Sequence, residues 1–134
     1  MRSRVIFVSK SKKESAKLIA QAIAQGAKIA CDPVEKHTTA SDVDVLFLGC
    51  EMSFGKIPGE LRKFAMKIDP SQVRQVVVFS VGSSPEKTGL SEIKSILEPK
   101  SIKVNETEFF CKNKVTNKEL KDAQEFGKTT MSKD

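Results

Sequence analysis

Three short stretches hold the side chains that could do chemistry. The first, Ser9-Lys-Ser-Lys-Lys-Glu-Ser15, places hydroxyls at Ser9, Ser11 and Ser15 among the ammonium groups of Lys10, Lys12 and Lys13. Hydroxyl donors, positive charge and the free N–H groups of a helix opening behind them would form a cradle for one phosphate monoester. The same residue types also describe a solvated turn closed by an N-cap serine, so the loop alone does not select a ligand. The second stretch, Gly49-Cys-Glu-Met-Ser-Phe-Gly55, contains Glu51, Met52, Ser53 and Phe54 between two glycines. The third runs from Val81 through Gly82, Ser83 and Ser84 to Gly89.

Each stretch follows an apolar run that reads as a strand. Arg4-Val-Ile-Phe-Val-Ser9 is β-branched and short, and Val45 to Leu48 and Gln75 to Val81 are continuous apolar runs of the kind buried on both faces of a parallel sheet. The run from Gln75 is the strongest and is expected at the centre. Behind each loop a helical period begins. Leu18, Ile19, Ala22 and Ile23 lie behind an N-cap at Ser15, with Gly26 as the stop; Ile57, Leu61, Phe64 and Ile68 surround Pro58; Leu90, Ile93 and Leu97 end at Pro99. Lys28 to Cys31 is a weak second strand, Asp32 to Ser41 a connection with room for one helical turn, and Ile102 to Cys111 a fifth strand. A last helix spans Thr116 to Phe126, with Thr116 as cap and Glu119 at the third helical position; residues 127–134 are expected to fray.

This alternation implies one α/β domain over residues 1–134, a doubly wound five-stranded parallel sheet with right-handed crossovers and helices on both faces. Strand, loop, helix in that order puts all three loops at the carboxyl edge, where such sheets bind ligands. Several chemistries drop out. No acidic pair follows the first strand, as a phospho-receiver needs, and neither GxGxxG nor GxxxxGK[ST] occurs. The first loop carries no cysteine nucleophile. A single histidine, His37, and three scattered cysteines without a CxxC pair leave no metal or triad site and suggest reduced thiols in the cytoplasm. No apolar run suggests a membrane span, and the immediate first strand leaves no room for a secretory signal.

Lys and Arg number 23 against 17 Asp and Glu, a net charge of +6 that favours anionic partners. Eight Phe without Tyr or Trp, mostly in apolar runs, argue against a nucleic-acid surface.

From Arg4 to Asn113 the chain resembles the flavodoxin family in its short form. The resemblance is carried by Ser9-Lys-Ser11 with the helix behind it, Asp44-Val-Leu-Phe-Leu-Gly49 with Phe54-Gly55-Lys56, Val77-Val-Phe-Ser-Val-Gly82 and Phe109-Phe-Cys-Lys112. It implies the strand order 2-1-3-4-5 and non-covalent FMN used to move electrons one or two at a time. It further implies that Ser9, Ser11 and Ser15 hold the FMN phosphate, to which Lys10, Lys12 and Lys13 of this loop would add charge. Gly49 to Gly55, with Glu51, Met52, Ser53, Phe54 and Gly55 as its site residues, and Val81 to Ser84 would then flank the isoalloxazine ring, with Phe54 or Met52 packing on it. A basic carrier would dock on a redox partner with an acidic face.

The chain departs from the family pattern twice. Lys12, Lys13 and Glu14 stand where glycine and asparagine are usual, and no Tyr or Trp is available to stack on a flavin. Two other readings therefore accompany the electron carrier: a small flavin-dependent reductase of quinone type, and a flavodoxin-fold accessory protein that has lost FMN. Cys50, beside the proposed ring site, reads better as a buried inert thiol than as a redox group.

Overall fold

The structure is a computed structural model that describes residues 2–36 and 40–132. His37, the one histidine, lies outside them. The elements follow the expected order: β1 (Ser3–Val8), α1 (Ser15–Ala27), β2 (Ala30–Pro33), β3 (Val43–Glu51), α2 (Gly59–Met66), β4 (Val73–Gly82), α3 (Leu90–Leu97), β5 (Lys103–Val104), β6 (Phe109–Lys112) and α4 (Asn117–Ser132). The pairings between these strands are parallel and the path across the sheet is β2-β1-β3-β4-β5. β6 also pairs with β4 and continues the edge that β5 begins. This is the flavodoxin-like order 2-1-3-4-5.

Alternation within the strands sorts the core into two layers. Ile6, Val8, Leu46, Leu48, Cys50, Val76 and Val78 pack with Leu61, Phe64, Ile93 and Leu97 of α2 and α3. Val5, Phe7, Val45, Phe47, Val77 and Phe79 face the other way, onto Ile19, Ile23 and Ala123 of α1 and α4. Because β3 and β4 are covered on both faces, every residue from Val45 to Leu48 and from Val76 to Phe79 is buried. That is why they read as continuous apolar runs and not as alternation.

Several expectations need correction. β3, not β4, is the middle strand of the five-strand path, since β4 lies one position from the β5/β6 edge. The fifth strand is broken: the Asn105 side chain accepts the Thr107 N–H at 2.8 Å, a local turn that competes with the sheet ladder. Leu18 is 40% exposed and lies off the buried face of α1. Gly26 does not stop α1 but sits inside it, and the chain leaves the helix through a left-handed Lys28 (φ 59°).

The expected frayed tail is also wrong as far as Ser132, because α4 continues to that residue. The reason is a close helix crossing. A Cβ added at Gly127 would lie 2.3 Å from the Ile23 carbonyl oxygen, and one added at Gly26 would lie 1.8 Å from that of Gln124. Two glycines let the backbones of α1 and α4 touch, and Phe126 then packs edge-on against Phe47 at a centroid distance of 6.3 Å. At its other end α4 begins as expected, with Glu119 accepting the Thr116 N–H at 3.0 Å and also its hydroxyl.

Candidate functional site

The carboxyl edge of the sheet brings the three loops together. Met52 N–H bonds the Val81 carbonyl at 2.7 Å, tying the end of β3 to that of β4. Lys10 forms an ion pair with Glu60 at the start of α2. The Lys87 side chain lies against Gly55. Glu92 of α3 accepts the Ile57 N–H at 2.9 Å and pairs with Arg62 at 3.0 Å, which anchors the base of the second loop.

The first loop is shaped as an anion cradle, and one of the chain's own carboxylates fills it. Glu51 Oε2 accepts from the Ser9 hydroxyl at 2.6 Å, the Ser11 hydroxyl at 3.0 Å and the Ala16 N–H at 2.8 Å. Glu51 Oε1 accepts from the Lys10 N–H at 2.6 Å and the Ser11 N–H at 3.2 Å. Two hydroxyls, two loop amides and one amide from the first turn of α1 thus converge on a single carboxylate. Burial alone would raise the Glu51 pKa, but the bonds from Ser9, Ala16, Lys10 and Ser11 outweigh it and hold the carboxyl below its ordinary value.

The parallel register explains why Glu51 arrives there. Val8 of β1 stands beside Cys50 of β3, so one step on, where β1 ends and its loop begins, Glu51 is beside Ser9. Glu51, expected beside a flavin ring, turns its side chain to the first loop. Ser15, expected as the N-cap of α1, is not the cap. It is the first residue of α1 and buried, and its N–H donates to the Ser11 hydroxyl oxygen at 3.2 Å, bracing the cradle from behind. Glu14, in the left-handed region at φ 52°, takes the cap position. Lys12 and Lys13 are exposed on the rim.

In the second loop, Ser53 and Lys56 exchange backbone hydrogen bonds of 2.8 and 3.0 Å across Phe54 (φ 52°) and Gly55 (φ 75°). Positive φ at both central residues makes this a two-residue hairpin of the I′ kind, which favours Asn-Gly. Phe54, at the tip, is 100% exposed. Met52 is half-buried against the core and passes close to Gly82 and Gly89. Val81 and Gly82 are buried, Ser83 is exposed and Ser84 half-buried; the Ser84 carbonyl and hydroxyl accept the Lys87 and Glu86 N–H groups in a local turn. Burial pushes the Cys50 thiol up to about 12, with Glu51 and Glu92 adding to the shift, so it stays protonated and unreactive near neutrality. Among the described residues no cluster of His, Cys, Asp or Glu could hold a metal ion, and no helix is long and apolar enough to cross a membrane.

The FMN implied by the resemblance can be tested against this geometry. Its phosphate would need the donors that Glu51 already uses, and a dianion set beside that carboxylate would be repelled. As folded, the cradle is occupied, and an FMN phosphate would have to displace the Glu51 carboxylate to reach its donors.

No protein-family model matches the sequence, and no curated protein matches it. Solved structures do. A flavodoxin from the domain Archaea superposes with a TM-score of 0.79 at 18% identity, covering 99% of this chain and 98% of that one. Flavodoxin 2 from Bacillus cereus gives 0.76 at 15% identity over 100% of both chains. The flavodiiron protein from Giardia intestinalis gives 0.76 at 11% identity, with this chain covering 35% of its length. With the strand order and the loop placement above, these likenesses identify the fold of this chain as flavodoxin-like.

Proposed function

We propose that this chain is a flavodoxin-fold accessory protein: a binding module that works without FMN in its phosphate cradle and docks on a protein with an acidic face. The observation that carries this reading is the Glu51 carboxylate on five donors of the first loop. The docking side draws support from the net charge of +6 and from Phe54. A non-glycine residue in the left-handed region carries a backbone cost, and an apolar ring held out in water gains nothing from burial, a combination suited to contact with a partner. Three free cysteines suit a reducing compartment, which makes the cytoplasm the proposed location.

The visible spectrum of the purified protein, followed by FMN and riboflavin fluorescence titrations, tests this reading. A colourless protein that does not distinguish FMN from riboflavin is expected. Co-purified FMN, or micromolar binding that requires the phosphate, would overturn it. A second reading, the FMN electron carrier, is favoured by the convergence of three loops on the sheet edge in a flavodoxin-like fold. It requires Glu51 to leave the cradle.

A further inference from the structure

We infer that the Glu51 carboxylate is an internal stand-in for a phosphate group, and that this one side chain, with a working donor set still beneath it, determines that the cradle rejects phosphate monoesters. The inference deepens the accessory-protein reading and rests on Glu51 occupying the cradle in the working protein.

Three features point this way. Among the described residues no lysine or arginine pairs with Glu51, so it is held by N–H and O–H groups alone, as a bound oxyanion is. The donors converge from Ser9 to Ala16 and are braced by the Ser15 N–H on Ser11 Oγ, so the cradle's shape does not depend on glycine in the loop. Finally, Glu51 is the last residue of β3, in register with Val81 of β4 and followed by the Met52–Val81 hydrogen bond. Its backbone is pinned, so its carboxylate meets the donors at high effective concentration. A free phosphate binds only the fraction of molecules in which that side chain has swung out, and its apparent affinity falls by that fraction.

The experiment compares the full chain with Glu51→Ser and Glu51→Gln. Thermal midpoints are read with added inorganic phosphate against sodium chloride of equal ionic strength, and FMN and riboflavin binding by flavin fluorescence. Phosphate is expected to raise the midpoint of both variants but not that of the parent protein. FMN should bind Glu51→Ser at least about tenfold more tightly than the parent, with riboflavin unchanged. Adding Ser11→Ala to Glu51→Ser should remove the gain. If a variant unfolds without its carboxylate, recovery of the folded signal by phosphate counts as the expected result. Variants that ignore phosphate, a parent protein that responds as strongly, or a gain that survives Ser11→Ala would each overturn the inference. Tight FMN binding by the parent protein overturns the accessory-protein reading, while the ratio between variant and parent still decides this one.

Discussion

Glu51 carries the most consequence of any single residue, because it satisfies a helix terminus and a loop at once. Its pKa is lowered in the folded protein, so its contribution to stability is fully present above the unfolded carboxyl value of about 4.3. That contribution is lost as pH falls through the folded value. The stability difference between the parent protein and Glu51→Gln should therefore be constant near neutrality and shrink below about pH 4 in urea titrations. A gap that widened on acidification would contradict the assignment. Cys50 gives a second residue-scale expectation. With its thiol pushed up to about 12 and its side chain buried, it should resist a thiol-reactive probe in the folded protein at pH 7 and react fully in denaturant.

Elements are where local chemistry and packing disagree most usefully. The α1–α4 crossing depends on Gly26 and Gly127, and the close approach at Gly127 leaves no room for a methyl group. Gly127→Ala should destabilise the fold by about 1–3 kcal/mol, since overpacking outweighs the gain in helix propensity. Denaturant midpoints check this, and a stabilised variant would mean that the helices stand further apart. The hairpin at Phe54 behaves in the opposite way. Phe54→Asn suits the left-handed turn and loses no buried contact, so it should leave stability unchanged or raise it by up to about 1 kcal/mol. If Phe54 is a docking anchor, the same variant weakens partner binding without loss of fold, which a pull-down paired with a thermal melt would register.

At the scale of the whole molecule, the +6 charge sets how the chain meets others. Association with an acidic partner should slow as salt is raised from low ionic strength to about 0.15 M, where the screening length contracts to about 8 Å. Stopped-flow or biosensor association rates measure it, and a rate indifferent to salt would remove charge steering from the account. The fold itself was widely legible. Runs such as Val45–Leu48 and Val76–Phe79 could be read because burial on both faces demands unbroken hydrophobicity, and helical periods because one face of each helix packs on the sheet. The break between β5 and β6 was not, because a side-chain turn at Asn105 overrides the apolar pattern around it. Gly26 reads as a stop in the sequence because a glycine that ends a helix and one that admits a second helix look alike there.

What the sequence determined by itself is the alternation of strands and helices, the two-faced core and the presence of three polar loops at one edge. Periodicity and turn chemistry act over a few residues, so they can be read along the chain. Only the tertiary structure decided what the first loop holds. Ser9 and Glu51 lie 42 positions apart and meet because β1 and β3 are neighbours in register, and no local pattern carries that pairing. An anion cradle could be recognised from its serines and its helix; that its anion is the chain's own Glu51 follows from how the sheet is ordered.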